Sequence, residues 1–418
     1  MAVYHQVAAP LRRRAKCDAV LGSAPRRREY AMTQSGAVGP LRYGMVGGGP
    51  GAFIGDVHRR AIALDGSAEL VAGSFSRTYE NTLATGRALG LDSSRLYRSF
   101  EEMAEAEAGR RDGIDFAVIV TPNGSHYAAA KAFVSRGIHV VCDKPLTIEL
   151  AEAEELAALA RRKDLLFCVT YTYTGYPAVK HAREMIARGD LGELRFVNAE
   201  YAQEWLATPL ERDGVHKQAA WRADPKETGK ALCVGDIGTH VENMVRTLTG
   251  LRIKRLCARL DTLVPGRTLD DNASILVDYE GNARGLYWAS QVAIGYDNGL
   301  RVRVVGSTGS IAWSQEDPDH LAVSRLDQPS EILSRGRDRF YPLAQGYSRV
   351  PAGHPEGYFE AFANIYKAFT AALRKNKSGA ALSPADLDFP GVEDGLSGVR
   401  FIDRCVESSR KGSAWVEF

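Results

Sequence analysis

Three short stretches of this chain hold residues whose types and spacing could do chemistry. Asp143-Lys144-Pro145 sets an amine at a turn, where lysine can hydrogen-bond a developing negative charge or itself act as a base. Asp236 and His240 lie four apart. On a helix they share a face, and the carboxylate can orient the imidazole and stabilise its charged form. Gly47-Gly48-Gly49 follows a short apolar run, and glycine lets a backbone approach a pyrophosphate whose charge a helix N-terminus favours. Taken singly, each pattern is common.

The elements around them supply the context. Phe116 to Val120 is apolar and rich in β-branched residues, as expected of a strand covered on both faces. Thr121-Pro122-Asn123-Gly124 breaks it with turn chemistry, and Asn123 or Ser125 can cap a following helix. Gly137 stops that helix, and Ile138 to Cys142 forms a second buried strand that empties into Asp143-Lys144-Pro145. In a parallel sheet both loops lie at the carboxyl edge, where such sheets bind ligands. Upstream, Leu41 to Val46 reads as a strand and Asp56 to Leu64 as a helix. Strand, glycine turn and helix form a dinucleotide fingerprint with Gly47, Gly49 and Gly55 as its glycines, three residues longer than the usual spacing.

Further along, residues 148 to 162 form an amphipathic helix and Leu165 to Thr170 a strand. Tyr171 to Pro177, with Tyr173 and Tyr176, marks the entry to a second half. There strands dominate: Arg195 to Gln203, Ile253 to Leu260, Ala273 to Tyr279, Ala283 to Gln291, Leu300 to Gly306 and Gly309 to Trp313. Alternation such as Arg301-Val302-Arg303-Val304 marks half-exposed antiparallel strands. The expected fold is α/β: a Rossmann domain over residues 41–168, then a domain over 169–418 with a large, mostly antiparallel open sheet and helices on one face. Its other face would suit a homodimer or homotetramer interface. Near the end, His354 and Pro355 are expected to open a helix, with His354 either over the substrate or a plain cap.

In order along the chain, Val120-Thr121-Pro122-Asn123-x-x-His126, Asp143-Lys144-Pro145, Ile186-x-x-Gly189-x-Leu191-Gly192 and Asp236-x-x-x-His240 resemble the Gfo/Idh/MocA family, from about residue 42 to the C-terminus. The family comprises NAD(P)-dependent dehydrogenases of sugars, inositols and related cyclic polyols. The resemblance implies a catalytic group of Lys144, Asp236 and His240: His240 as acid and base, Lys144 as electrostatic partner or itself the base, Asp236 as orienter. Hydride removal from a carbinol leaves a proton for a base near neutral pKa to accept, which suits histidine. It also implies cofactor contacts at Gly47, Gly49, Phe53, Ile54, Gly55, Ser76, Arg77, Thr121, Pro122, Asn123, His126, Asp143 and Lys144. Substrate contacts are expected at Tyr173, Trp221, Arg222 and His354. At the ribose position this chain has Phe75, then Ser76 and Arg77, where an acidic residue would select NAD. A hydroxyl beside a guanidinium suits a 2′-phosphate, so NADP is expected, with NAD the alternative. The glycines usual before the Asp-x-x-x-His motif are replaced by Gly229-Lys230-Ala231.

Composition agrees with this reading. The 418 residues are enough for two domains, and 45% apolar with 25% charged content is ordinary for a globular protein. The formal charge of +2 gives no reason to expect a nucleic-acid or membrane partner. Six scattered cysteines without a C-x-x-C pair point to a reducing cytoplasm, and no metal is expected. Residues 1–40 carry Arg12 to Arg14, Lys16 and Arg26 to Arg28 against only Asp18 and Glu29. Such a head is either a transit peptide or an extension outside the fold, disordered or from a start upstream of Met32. Two other functions stay open on the same fold: a non-enzymatic NAD(P)-sensing regulator, and a redox-neutral NAD-dependent glycosidase.

Overall fold

Phe116–Val120 is buried at every position, and this run forms the centre of a parallel sheet. The computed structural model describes residues 39–212 and 216–418; the arginine-rich head, except for its last two residues, lies outside them. The first sheet comprises β1 (Leu41–Gly47), β2 (Ala68–Ser74), β3 (Phe116–Val120), β4 (His139–Cys142) and β5 (Phe167–Val169), in the order β2-β1-β3-β4-β5. Its helices are α1 (Phe53–Leu64), α2 (Tyr79–Ala88), α3 (Phe100–Ala108), α4 (His126–Ser135) and α5 (Leu150–Arg162). Strand order reverses between β1 and β3, so the loops after these strands part at the carboxyl edge and open a crevice. Helix α1 begins at Phe53, three residues before the expected Asp56, so Phe53 and Ile54 belong to its first turn.

The second half runs α6 (Pro177–Ala187), β6 (Leu194–Ala202), α7 (Lys217–Ala223), α8 (Pro225–Thr228), α9 (Thr239–Thr249) and β7 (Ile253–Asp261). It continues through β8 (Asn272–Tyr279), β9 (Arg284–Ser290), β10 (Gly299–Gly306), β11 (Gly309–Ser314), β12 (Asp317–Arg325) and β13 (Glu331–Ser334). Then come α10 (Pro342–Gln345), α11 (Tyr358–Lys377), α12 (Val392–Arg410) and β14 (Val416–Glu417). The nine strands lie in the order β13-β12-β11-β10-β6-β9-β8-β7-β14, antiparallel except for the β6–β9 pair. Val302 and Val304 point into the core while Arg301 and Arg303 face out, as the alternation requires. Helices α6, α9 and α12 pack on the inner face. Phe196, Leu276 and Leu286 remain exposed on the outer one.

The chain then returns to the first sheet. Phe369 of α11 meets Phe116 at 5.3 Å edge to face, and Tyr366 shares a 2.6 Å hydrogen bond with Nδ1 of His58 on α1. Helix α11 starts at Tyr358, later than expected, where the Glu360 carboxylate accepts from the Gly357 amide at 2.8 Å. His354 and Pro355 therefore precede the helix. His354 is exposed and is not the cap of this helix; among the described residues its imidazole hydrogen-bonds only the Pro351 carbonyl, at 3.3 Å. Among the described residues no helix is long and apolar enough to cross a membrane.

Candidate active site

A cavity of about 1290 Å³ lies where the carboxyl edge of the first sheet meets the second. One end is the glycine turn. Gly47 and Gly48 have φ of +84° and +76°, which L side chains rarely adopt, and a Cβ on Gly49 would come within 2.7 Å of the Phe75 carbonyl oxygen. The Gly49 amide donates to that same oxygen at 3.1 Å, laying the loop on the end of β2. Free amides at the start of α1 and a side-chain-free approach fit a dinucleotide pyrophosphate. Gly47, Gly49, Phe53, Ile54, Ser76, Arg77, Thr121, Pro122, Asn123, Asp143 and Lys144 all line the cavity.

Gly55 and His126, expected as cofactor contacts, do not. A Cβ on Gly55 would lie 2.4 Å from the Gly48 Cα, so this glycine lets the helix pack on the loop. His126 is fully buried, with Nε2 2.9 Å from the Thr121 carbonyl and Nδ1 2.8 Å from that of Pro145. It ties the Thr-Pro-Asn loop to the Asp-Lys-Pro loop, and burial keeps its pKa below the usual value. A neutral ring donates to one carbonyl at a time. Asp143 accepts from the Thr170 hydroxyl at 2.6 Å, pinning the end of β4 to β5. At the end where the sequence places the ribose, Ser76, Arg77, Asn81 and Arg98 line the cavity, without a carboxylate among the described residues.

Deeper in the cavity Lys144 and Asp236 meet. The Lys144 ammonium donates to Asp236 Oδ1 at 2.8 Å and to its backbone carbonyl at 2.5 Å. Asp236 Oδ2 accepts from Arg222 Nε at 3.2 Å and from Gln291 Nε2 at 2.8 Å. Burial opposes ionisation of Asp236, but the Arg222 and Lys144 charges outweigh it and hold the carboxyl below the usual carboxylate range. Asp236 sits in a π-turn over Val234–Gly238 that precedes α9. The Asp270 carboxylate accepts from the Leu232 and Val234 amides at 2.7 and 2.9 Å and so anchors the start of this turn. The bonding of the pair differs from expectation. Among the described residues no hydrogen bond joins Asp236 to His240, and the carboxylate faces Lys144, Arg222 and Gln291 instead.

His240 is oriented by packing. Its ring meets the edges or faces of Tyr173, Tyr171 and Tyr201, with centroids at 4.8, 5.6 and 5.9 Å. Burial, then the Lys144 charge, pushes its pKa well below the usual histidine value, so it is neutral at physiological pH. Tyr173 reaches the Tyr201 hydroxyl at 2.5 Å, Tyr201 donates to Asn298 Oδ1 at 2.6 Å, and Gln203 donates to the same oxygen at 2.8 Å. Trp221 lines the wall with the Arg222 guanidinium stacked over it at 4.3 Å. Tyr176 turns away into the core against Trp313. Gln203, Tyr201, Gln291, Asn298, Gln315 and Tyr358 were not legible as site residues, because each is one polar or aromatic side chain at a strand end, loop or helix start without a local pattern.

Helices α7 and α8 carry Trp221 and Arg222 across to the first sheet. Asn123 Nδ2 donates to the Thr228 carbonyl at 3.4 Å, and a Cβ on Gly124 would lie 2.8 Å from the Lys226 carbonyl oxygen. In the altered Gly229-Lys230-Ala231 stretch Gly229 has φ of +94°, and Lys230 points away from the cavity to Glu149 and Asp403 at 2.8 and 3.0 Å.

Comparison with known proteins agrees with this geometry. A model described as "Oxidoreductase family, NAD-binding Rossmann fold" matches residues 41–171, and one described as "GFO/IDH/MocA C-terminal domain" matches residues 179–312. The chain is 37% identical to the uncharacterized oxidoreductase YfiI of Bacillus subtilis (strain 168) over 91% of its own length and 97% of that protein. It is 27% identical to the levoglucosan dehydrogenase of Pseudarthrobacter phenanthrenivorans, over 72% of its length and 78% of that protein's. An inositol dehydrogenase homolog from Azotobacter vinelandii, solved with NADH and myo-inositol, superposes with a TM-score of 0.85 at 38% identity. That match covers 91% of this chain and 98% of the other. With the glycine cradle and the Lys144–Asp236–His240 cluster in one cavity, the chain belongs to the Gfo/Idh/MocA family of NAD-binding oxidoreductases.

Proposed function

We propose that this enzyme oxidises a secondary alcohol of an uncharged cyclic polyol, an inositol or a sugar, by reversible hydride transfer. The observation that carries the reading is the meeting of Lys144, Asp236 and His240 in the cavity that also holds the glycine turn. NAD(P), held by the glycine turn and the Thr121–Asn123 loop, supplies the hydride acceptor. His240 enters neutral and takes the hydroxyl proton, while Lys144 hydrogen-bonds the same oxygen and stabilises its developing negative charge. Asp236 holds the lysine by two contacts. Tyr173 and Trp221 form the wall toward the ring, and Arg222 acts through Asp236.

An uncharged substrate is favoured because the cations beside Asp236, Lys144 and Arg222, are already paired with it. The adjoining side chains Gln203, Tyr173, Tyr201, Asn298 and Gln315 are neutral donors and acceptors suited to hydroxyls. The myo-inositol held by the Azotobacter vinelandii homolog has this chemistry. For the cofactor we propose NADP in preference to NAD, from the carboxylate-free ribose end and the exposed Arg77. We also propose that the outer face of the nine-stranded sheet is a homo-oligomer interface.

The test is absorbance at 340 nm with purified protein, NAD or NADP, and inositols, aldoses, anhydrosugars, glycosides and a sugar phosphate. Reduction with a neutral polyol is expected, with kcat/KM larger for NADP. Cofactor binding without reduction, alongside glycoside cleavage or no turnover, would move the protein to the redox-neutral or sensing alternatives.

A further inference from the structure

Gln291 lies one residue past the end of β9 and is fully buried. Its backbone is fully engaged, the amide donating to the Asp271 carbonyl at 2.9 Å and the carbonyl accepting from the Leu206 amide at 3.0 Å. The side chain is thus fixed at its root. Nε2 donates to Asp236 Oδ2 at 2.8 Å, while Oε1 is buried with no partner among the described residues. Burying an amide with one end unsatisfied is unfavourable, and an aliphatic residue of similar length would avoid the penalty. The one polar contact made in return is to Asp236.

We propose that Gln291 is a positioning residue that fixes the rotation of the Asp236 carboxylate, so that Oδ1 faces Lys144 while Oδ2 is shared with Arg222. The inference rests on the reading that Lys144 and Asp236 act in the reaction. A carboxylate is symmetric about its axis and can turn toward either cation. Arg222, stacked on Trp221, competes for it from α7, and Lys144 from the loop after β4. Gln291 holds Oδ2 from a rigid strand end and leaves Oδ1 for the lysine. The other titratable groups facing Asp236 are His240 of α9, Tyr173, Tyr201, Tyr358 and Cys233, none hydrogen-bonded to its carboxylate among the described residues.

The test compares wild type, Gln291→Met and Gln291→Glu. Acetylation of Lys144 by acetic anhydride, followed by peptide mass spectrometry, needs no substrate. Loss of the amide frees Asp236 to turn to Arg222, and Lys144 acetylation at pH 7 in Gln291→Met is expected to rise about threefold or more relative to the exposed Lys411. With the oxidised polyol, kcat of Gln291→Met is expected to fall ten- to a hundredfold at nearly constant KM. Gln291→Glu, which removes the donor and sets a second carboxyl beside Asp236, is expected to lose kcat at least as far. Unchanged acetylation, or unchanged kcat, in folded Gln291→Met overturns the proposal. Lys144→Met separates the two claims: if it abolishes turnover while Gln291→Met does not, the inference fails and the reaction assignment stands; if Lys144→Met retains turnover, the assignment itself fails.

Discussion

Lys144, Asp236 and His240 come from two places in the chain, and each is held by a different force. Lys144 is held by an ion pair, Asp236 by three donors, and His240 by aromatic packing. Lys144→Ala, Asp236→Asn and His240→Ala are each expected to lower kcat by about 10²–10⁴. NAD(P) binding should persist, as NADH fluorescence titration would report; turnover at the wild-type rate in any of them refutes its assignment. Glu242 offers a test of stability one turn into α9. Burial raises its pKa to about 7 from 4.5, with the Ser397 hydroxyl and the Arg246 charge opposing. The folded protein therefore holds a proton that the unfolded chain has lost, and this group's contribution to stability falls as pH rises through that window. Its Oε2 is buried without a partner among the described residues. Glu242→Gln is expected to raise stability at pH 8 by up to about 3 kcal/mol and change it little at pH 5. Thermal melts at the two values would show it, and an equal shift at both would argue against titration as the cause.

At the scale of elements, two turns decide what the residues can reach. The glycine loop lies on the Phe75 carbonyl so closely that a methyl at Gly49 must displace it. Gly49→Ala is expected to weaken NAD(P) binding about tenfold, near 1.4 kcal/mol, by titration; an unchanged Kd would mean the loop does not need this approach. The π-turn over Val234–Gly238 decides the other contact. Counting four residues from Asp236 to His240 implies a shared face, and the structure engages the Asp236 carboxylate with Lys144, Arg222 and Gln291, with no hydrogen bond to His240 among the described residues. What fixes the turn is Asp270, far away in sequence, bonding the Leu232 and Val234 amides. Strands β1 and β3 and the sheet strands through β11 were legible because their apolar runs and alternation are local. Strands β12 and β13 were not, since Asp317-Pro318-Asp319 and Gln328-Pro329 read as turns and the strands gain their order by pairing, β12 with β11 and β13 with β12.

Taken whole, the molecule joins two sheets through a cavity, with α11 crossing back to pack on the first. The outer face of the second sheet leaves Leu276 and Leu286 as exposed cross-strand partners with Phe196 nearby. If copies of the chain meet there, Leu276→Arg sets a charge in an apolar contact and is expected to give monomers by light scattering, where the wild type gives dimers or tetramers. A monomeric wild type would instead make this face solvent-exposed.

By itself the sequence determined the parallel and antiparallel halves, the glycine turn, and Lys144, Asp236 and His240 as residues of interest. Those signals are local: period-two alternation, buried apolar runs, turn chemistry and short motifs. Only the tertiary structure decided that Asp236 hydrogen-bonds Lys144 and not His240, that His126 braces two loops, that His354 lies outside the cavity, and that Gln291 reaches the aspartate. Each of these depends on which distant backbone lies within about 3 Å of a side chain, and no spacing along one strand of chain encodes that distance.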